Sequence, residues 1–140
     1  MGYTWTTALS VGVEEIDEQH KELINRFNAL LAAASQGKGK QEIGSIILFL
    51  NDYVIKHFSD EEKLQVKYSY PQYLSHKAEH KRFIEDFGRL KQELEAQGVT
   101  SSIVIAVQRR VGDWLINHIC KVDQELGKYI RAAIARASTT

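Results

Sequence analysis

The sequence has one cysteine, one proline, one methionine and no excess of either charge. Because Cys120 has no second cysteine to pair with, an internal disulfide is excluded and a reducing compartment is expected. Lys plus Arg and Asp plus Glu both total 18, so no net charge attracts nucleic acid or an anionic membrane. No apolar run approaches the ~18 residues of a membrane span, and the first residues lack the features of a signal peptide. These absences predict a cytoplasmic protein with no nucleic-acid partner and no membrane insertion.

The rest of the composition is that of a globular helical protein. The chain has 140 residues, 44% of them hydrophobic, which is enough for one domain with a real core. Apolar residues recur at steps of three and four in four long segments, and none of these segments alternates as a strand does. We therefore expect four helices, which span about residues 17–36, 40–66, 72–97 and 100–136.

Turn-forming residues separate the four segments. Gly37 follows the first segment, and Pro71 forbids simple continuation of the second. Gly98 and the hydroxyl residues behind it can end the third helix and cap the fourth. Because short connections favour antiparallel neighbours, the sequence predicts an all-α fold. We expect a single domain over residues 1–140, an antiparallel up-down-up-down four-helix bundle with an N-terminal arm over about residues 1–16.

All five histidines fall on the apolar stripes of these segments. Two acids share the stripes, one of them four residues after a histidine and the other five residues after a histidine. Burying an isolated carboxylate is expensive, so acids on a core face need a compensating cation. The candidate metal ligands are His20, His57, Glu61, His76, His80, His118 and Asp123.

These residues lie at similar heights in an antiparallel bundle, where height is measured from the connecting turn. His20 and His57 are about 18 and 19 residues from the first turn, and His80 and His118 are 18 and 20 residues from Gly98. The same count across the middle turn places Glu61 of the second segment and His76 of the third segment at one height. The spacing therefore predicts that all seven side chains converge on one volume.

The number of ligands favours two metal ions. Five imidazoles and two carboxylates exceed the four ligands of a structural zinc site. If both carboxylates and one solvent-derived oxygen bridge two octahedral ions, shared ligands fill three positions on each ion. Five histidines then fill five of the six remaining positions. One ion is saturated, and its neighbour keeps an open position for a small molecule.

Four sequence motifs carry a resemblance to a known family. They are Trp5 with VGVEEIDEQHKEL over 11–23, HFSDEE over 57–62, YPQYLSHKAEH over 70–80 and WLINHICKVD over 114–123. With these motifs the chain resembles the bacterial hemerythrins, non-haem di-iron proteins that bind dioxygen in a four-helix bundle. The resemblance implies two irons bridged by an oxo or hydroxo group. It also implies a division of ligands: His76, His80 and His118 on the saturated iron, His20 and His57 on the open iron, and Glu61 and Asp123 as bridges.

The implied function is reversible dioxygen binding for storage, delivery or scavenging, with no catalytic residues. Leu115 lies three residues before His118, and the resemblance implies that Leu115 and Trp114 line the oxygen pocket. Dioxygen is the expected ligand, and an oxygen-using acceptor protein is a further expected partner. Three alternatives stay open: a di-iron oxidoreductase acting on peroxide or nitric oxide, an oxygen or redox sensor module, and a mononuclear or zinc-loaded helical protein.

Three positions carry separate expectations. Many relatives have methionine where this chain has Gln65, whose amide could lie near the site, although a solvated residue at a helix end is the favoured interpretation. Glycine is common in relatives where this chain has Ser69. Cys120, two residues after His118, is not expected to be a ligand.

The spacing between His118 and Asp123 predicts a local distortion. On a regular helix, five steps of about 100° place the two residues about 140° apart, too far for both to reach one cluster. A π-type widening brings residues i and i+5 together and occurs often at functional sites. We therefore expect such a widening between these two residues.

Overall fold

The computed structural model describes the backbone of residues 3–38 and 40–138, and their side chains except those of residues 40, 120 and 138. No strand occurs in this part of the chain, and the all-α four-helix prediction is confirmed. A 3-10 turn at Thr7–Leu9 precedes the bundle. The four helices are α1 (Glu14–Ser35), α2 (Lys40–Lys67), α3 (Tyr73–Gln97) and α4 (101–138).

The fourth helix is continuous but not uniform. Two π-helical segments, Gln108–Asp113 and Ile119–Asp123, alternate with α-helical turns along it. The second segment confirms the widening expected from the spacing of His118 and Asp123. The first was not predicted, because only the irregular apolar spacing of this region signals it. Among the described residues, no helix is both long and apolar enough to cross a membrane.

Two apolar clusters hold the helices together. Helix α1 packs along α2, α2 along α3, and α3 along α4, in the order expected for antiparallel neighbours joined by short loops. The main core draws on all four helices and includes Leu23, Phe27, Leu50, Phe87, Leu90 and Ile119. The second cluster, towards the opposite end of the bundle, consists of Val11, Ile16, Tyr70, Leu126 and Ile130.

The candidate ligands lie between these two clusters. In α1, His20 stands between Ile16 of the second cluster and Leu23 of the main core. Helix α4 has the same order, because Asp123 lies between Ile119 of the main core and Leu126 of the second cluster. Dry apolar layers on both sides therefore shield the polar level from water.

The N-terminal arm is fixed to the outside of the bundle. Asp17 accepts hydrogen bonds from the Ser10 hydroxyl (2.6 Å) and the Val11 amide (2.8 Å). Helix α1 begins at Glu14, three residues before the expected start, and its first turn carries three acids that the positive end of the helix dipole stabilises. The arm crosses α4 at Gly127, where an added Cβ would lie 2.1 Å from the Val11 carbonyl oxygen. Only glycine permits this close contact.

The ends of α1 and α2 have the same hydrogen-bond pattern. After α2, the Ser69 amide bonds to the Val66 carbonyl and the Tyr70 amide to the Gln65 carbonyl, which is a Schellman motif. The residue at its left-handed position is Ser69, with φ 54°, whereas Gly37 takes the equivalent position after α1 with φ 71°. The serine therefore carries a backbone strain that a glycine would not.

Helix α4 begins at a capped end. The Thr100 side chain accepts a hydrogen bond from the Ile103 amide at 3.2 Å, as the hydroxyl residues after Gly98 predicted.

Candidate metal centre

All seven candidate ligands meet inside the bundle. Helix α1 supplies one of them, and α2, α3 and α4 supply two each. Each is at most 4% exposed. They form two groups that share both carboxylates, and within each group the ligand atoms lie within 4.8 Å of one another. One group has three histidines (His76, His80 and His118) and the other has two (His20 and His57), each with Glu61 and Asp123.

The three-histidine group is the more compact. His76 Nε2 lies 3.0 Å from Glu61 Oε1 and 3.0 Å from Asp123 Oδ1. The same nitrogen is 2.9 Å from His118 Nε2, which is 3.2 Å from His80 Nε2. Three imidazole nitrogens therefore point at one another and at two carboxylate oxygens.

The two-histidine group uses the other oxygen of each carboxylate. His20 Nε2 lies 3.0 Å from Asp123 Oδ2, and His57 Nε2 lies 3.3 Å from Glu61 Oε2. The Oε2 atom of Glu61 is also 3.9 Å from His20 Nε2. Each carboxylate thus presents one oxygen to each histidine group.

The buried carboxylates lack hydrogen-bond partners of good geometry. Both oxygens of Glu61, both oxygens of Asp123 and His20 Nε2 are fully enclosed with no such partner among the described residues. Unpaired buried polar atoms of this kind are costly, whereas a metal ion satisfies carboxylate oxygens and imidazole nitrogens together. Carboxylate and imidazole are ligands suited to first-row transition metals, so the donor set fits metal binding.

Electrostatics within the cluster favour a bound cation. Burial and the charge of Asp123 act to raise the pKa of Glu61, but close polar contacts with the rings of three histidines outweigh them and hold it well below its usual range. Burial likewise acts to raise the pKa of Asp123, and the neighbouring histidines, His118 first, hold it low. Burial acts to lower the pKa of His76, yet the close contacts of its ring with both carboxylates raise it to about 10. Without metal, a proton on His76 therefore compensates only part of the charge of the two ionised acids, and bound metal would replace that proton and supply the remaining positive charge.

Outer polar partners hold three of the histidine rings. The Gln19 amide oxygen lies 2.7 Å from His57 Nδ1, and the Glu62 carboxylate lies 3.0 Å from His80 Nδ1. Such partners orient a metal-binding imidazole and raise its basicity. Sequence reasoning missed both residues, since the only signal is that each adjoins a candidate ligand in the chain.

The third partner corrects an expectation. Gln65 is not a solvated residue at a helix end: it is fully buried, and its side-chain amide lies 2.6 Å from His76 Nδ1. Helix α2 extends past Gln65 to Lys67. Because Gln65 is four residues after Glu61 on this helix, its amide lies on the same face as Glu61.

Aromatic side chains pack against the three-histidine group. Phe58 stacks on His80 with ring centroids 3.8 Å apart, and Trp114 stacks on His118 at 4.6 Å. Trp114 is half-buried on the outer side of His118, whereas Leu115 is 3% exposed and belongs to the main core. The side chain of Cys120 lies outside the described residues.

Comparison with known proteins gives the family. The model of the hemerythrin HHE cation binding domain matches residues 11–130. The chain belongs to the hemerythrin family. It is 35% identical over 130 residues to a bacteriohemerythrin of Methylococcus capsulatus, an alignment that covers 92% of this chain and 97% of that protein. It is 32% identical over 117 residues to a hemerythrin-like protein of Naegleria gruberi, and 84% of each chain is covered.

Solved hemerythrin structures share the fold of this hemerythrin. Wild-type hemerythrin superposes with a TM-score of 0.80 at 35% identity, over 91% of this chain and 97% of that chain. A leucine-to-alanine mutant of hemerythrin superposes with a TM-score of 0.81 at 34% identity, over 93% of this chain and 98% of that chain. The agreement extends over nearly the whole bundle, including the four helices that carry the cluster.

Proposed function

We propose that this hemerythrin holds two iron ions in the cluster and binds dioxygen reversibly at one of them, as an oxygen store, carrier or scavenger without catalytic residues. One observation supports the proposal best. Each carboxylate, Glu61 and Asp123, directs one oxygen to the three-histidine group and the other oxygen to the two-histidine group. This is the arrangement that two bridging carboxylates need.

The ligand roles follow from that arrangement. The three-histidine group would saturate one ion, and the two-histidine group would leave the other with an open position, once an oxo or hydroxo group completes the bridge. When bound, the iron pair would supply the two electrons that dioxygen takes up and returns. The histidine rings would hold the ions through Nε2, which faces the carboxylates in all five rings.

The protein surroundings would protect this chemistry from water. The main core and the second apolar cluster lie on either side of the seven candidate ligands. They exclude water and mobile proton donors, which otherwise promote side reactions in an active site. We propose Leu115 as the wall of the oxygen pocket, because it is buried one turn before His118. Trp114, the other expected lining residue, lies against the three-histidine group, so we propose for it a contact with the ligand ring.

A nitrogen-rich donor set favours reversible binding over oxygen cleavage. Ferritin-like di-iron proteins use glutamates and Glu-x-x-His motifs, and the sequence contains no Glu-x-x-His. We further propose a cytoplasmic location, which suits the lone cysteine, and an oxygen-using protein as recipient.

The test is anaerobic loading with ferrous iron, followed by metal analysis and oxygen titration. We expect two irons per chain, one dioxygen per iron pair, and a visible absorption band that appears with oxygen and disappears when oxygen is removed. Asp123→Asn should lose the second iron and the band, whereas Asp52→Asn, at an exposed position of α2, should keep both.

Two results would contradict this function. A chain that takes up a single metal ion, or zinc in preference to iron, would return the protein to the mononuclear alternative. Catalytic turnover of peroxide or nitric oxide with no detectable oxygenated form would instead favour the oxidoreductase.

A further inference from the structure

Gln65 links the end of α2 to the first histidine of α3. Its backbone carbonyl accepts the Tyr70 amide at 2.9 Å, and its side-chain amide nitrogen, Nε2, lies 2.6 Å from His76 Nδ1. The residue is fully buried. Both its backbone and its side chain therefore contact the segment that leads into α3, where His76 stands in the first turn.

The chemistry of His76 determines which amide atom faces it. Its Nε2 lies 3.0 Å from both carboxylates and is the nitrogen directed at the metal position. A ring that binds metal through Nε2 carries its hydrogen on Nδ1, and a protonated ring also carries one there. The group opposite Nδ1 must therefore accept a hydrogen bond. Since the oxygen and nitrogen of an amide have nearly the same shape, the amide oxygen can take this place by a half-turn of the amide.

A neighbouring histidine provides a direct contrast. His80 directs Nδ1 at the Glu62 carboxylate, which is partly exposed, whereas His76 directs Nδ1 at a neutral amide that is fully buried. A carboxylate in place of Gln65 would be a third buried anion beside Glu61 and Asp123, at a large desolvation cost. The neutral amide accepts the hydrogen bond without adding charge.

We propose that Gln65 is a positioning residue for His76. Its amide oxygen accepts the Nδ1 hydrogen, fixes the tautomer that leaves Nε2 free for metal, and keeps His76 a weaker electron donor than His80. The proposal rests on the metal site proposed above and does not require oxygen binding. The three-histidine group then contains rings of unequal donor strength, set by a neutral acceptor on one ring and an anionic acceptor on another.

The first test measures how firmly the protein holds metal. Protein loaded with cobalt(II) is mixed with excess chelator, and loss of the cobalt absorption is followed for wild type, Gln65→Met and Gln65→Asn. Methionine removes the acceptor at similar volume, and asparagine withdraws it by one methylene. Losing an outer partner of a metal ligand usually lowers metal affinity 10- to 100-fold, so we expect release to be faster by about that factor in both variants. Gln97→Met and Gln97→Asn, exposed at the end of α3, are the matched controls.

The second test separates positioning from a merely structural role. We expect the midpoint potential of the iron centre to fall in Gln65→Glu, because an anionic acceptor makes His76 a stronger donor and favours ferric iron. We expect it to rise in Gln65→Met, where no acceptor remains. A general loosening of the fold would not shift the potential in opposite directions.

The outcomes distinguish this proposal from the proposed function. If wild type binds no cobalt and no iron, the metal site itself fails. If wild type binds two metal ions but the Gln65 variants release them at the rate of the Gln97 controls, the positioning role is overturned. Potentials that move in the same direction in Gln65→Glu and Gln65→Met would overturn it as well. Should Gln65→Glu not fold, the release rate of Gln65→Asn decides.

Discussion

His118 and Asp123 are five residues apart on one helix, yet His118 Nε2 lies 3.0 Å from Asp123 Oδ1. A regular helix would place them about 140° apart. The π-helical segment Ile119–Asp123 accommodates the extra residue, so the pair occupies one face as residues i and i+4 of an α-helix would. The segment thus behaves as a one-residue insertion in an otherwise regular helix.

This relationship predicts an unusual tolerance to deletion. Removing Lys121, an exposed residue of the π segment, should convert it to an α-helical turn and leave every later residue in register. We expect the variant to bind as much metal as wild type, by elemental analysis. Removing Lys128, also exposed but in a regular turn, should rotate Ile130 out of the second cluster and lower the melting temperature markedly. Loss of metal on removal of Lys121 would show that the widening itself is required.

The strained turn after α2 predicts a stabilising substitution. Ser69→Gly relieves a left-handed conformation at an exposed position and should raise the free energy of unfolding by roughly 0.5–1 kcal/mol. The reciprocal change Gly37→Ser, at the same position of the α1 motif and with open space for a Cβ, should lower it by a similar amount. Urea denaturation of both variants measures this. An unchanged free energy of unfolding in both variants, or a change of the same sign in both, would show that φ does not limit stability at these turns.

Removal of metal should change the pH dependence of stability. The raised pKa of His76, about 10 in the fold against about 6.5 in the unfolded chain, means that the metal-free fold binds an extra proton between these values. Its contribution to stability is complete below the lower value and is lost as pH rises towards the higher one. The lowered pKa values of Glu61 and Asp123 contribute stability that is lost as pH falls through the acid range.

Because metal binding stabilises the fold, the metal-free protein should melt at a lower temperature than the loaded protein at pH 7. Because His76 loses its proton as pH rises, the melting temperature of the metal-free protein should fall further between pH 7 and pH 9. In the loaded protein His76 is already neutral, so the same pH interval should have little effect. Calorimetry of both forms at the two pH values is the measurement. An identical transition before and after complete metal removal would contradict the prediction.

Leu115→Ala should separate oxygen protection from metal binding. We expect the variant to keep two irons but to oxidise faster in air, because a smaller side chain admits water to the pocket. Leu115 is 3% exposed, so the loss of stability should be roughly 2–5 kcal/mol. Leu90→Ala, at an equally buried main-core position in α3, should show a comparable loss with the wild-type oxidation rate. The decay of the oxygenated absorption gives both rates, and equal rates would place the pocket elsewhere.

Apolar periodicity predicted the four helices because each helix buries one stripe, and the same periodicity revealed histidines where apolar residues belong. The convergence of seven side chains followed from counting along antiparallel helices. The widening before Asp123 was also predictable, since His118 and Asp123 can share one face only if the helix between them widens.

Other features depend on contacts that no local pattern encodes. Gln65 lies in the last turns of the predicted second helix, where a solvated side chain is the usual expectation, and only the packing of α3 against α2 buries its amide at His76. Gln19 and Glu62 are ordinary polar helix residues in sequence, and only the orientation of the neighbouring rings gives them a partner. The π segment Gln108–Asp113 contains none of the seven candidate metal ligands, so no requirement of the site predicts it.

The stacking of Trp114 on His118 gives the protein an intrinsic fluorescent probe beside the three-histidine group. The indole lies 4.6 Å from the His118 ring at an interplanar angle of 12°, so an iron ion held by that ring would be close enough to quench the indole fluorescence. The sequence has two tryptophans, and the other, Trp5, lies on the N-terminal arm beneath the Lys21 ammonium. Emission from Trp114 would therefore follow the filling and emptying of the three-histidine group in real time, without a dye or a label.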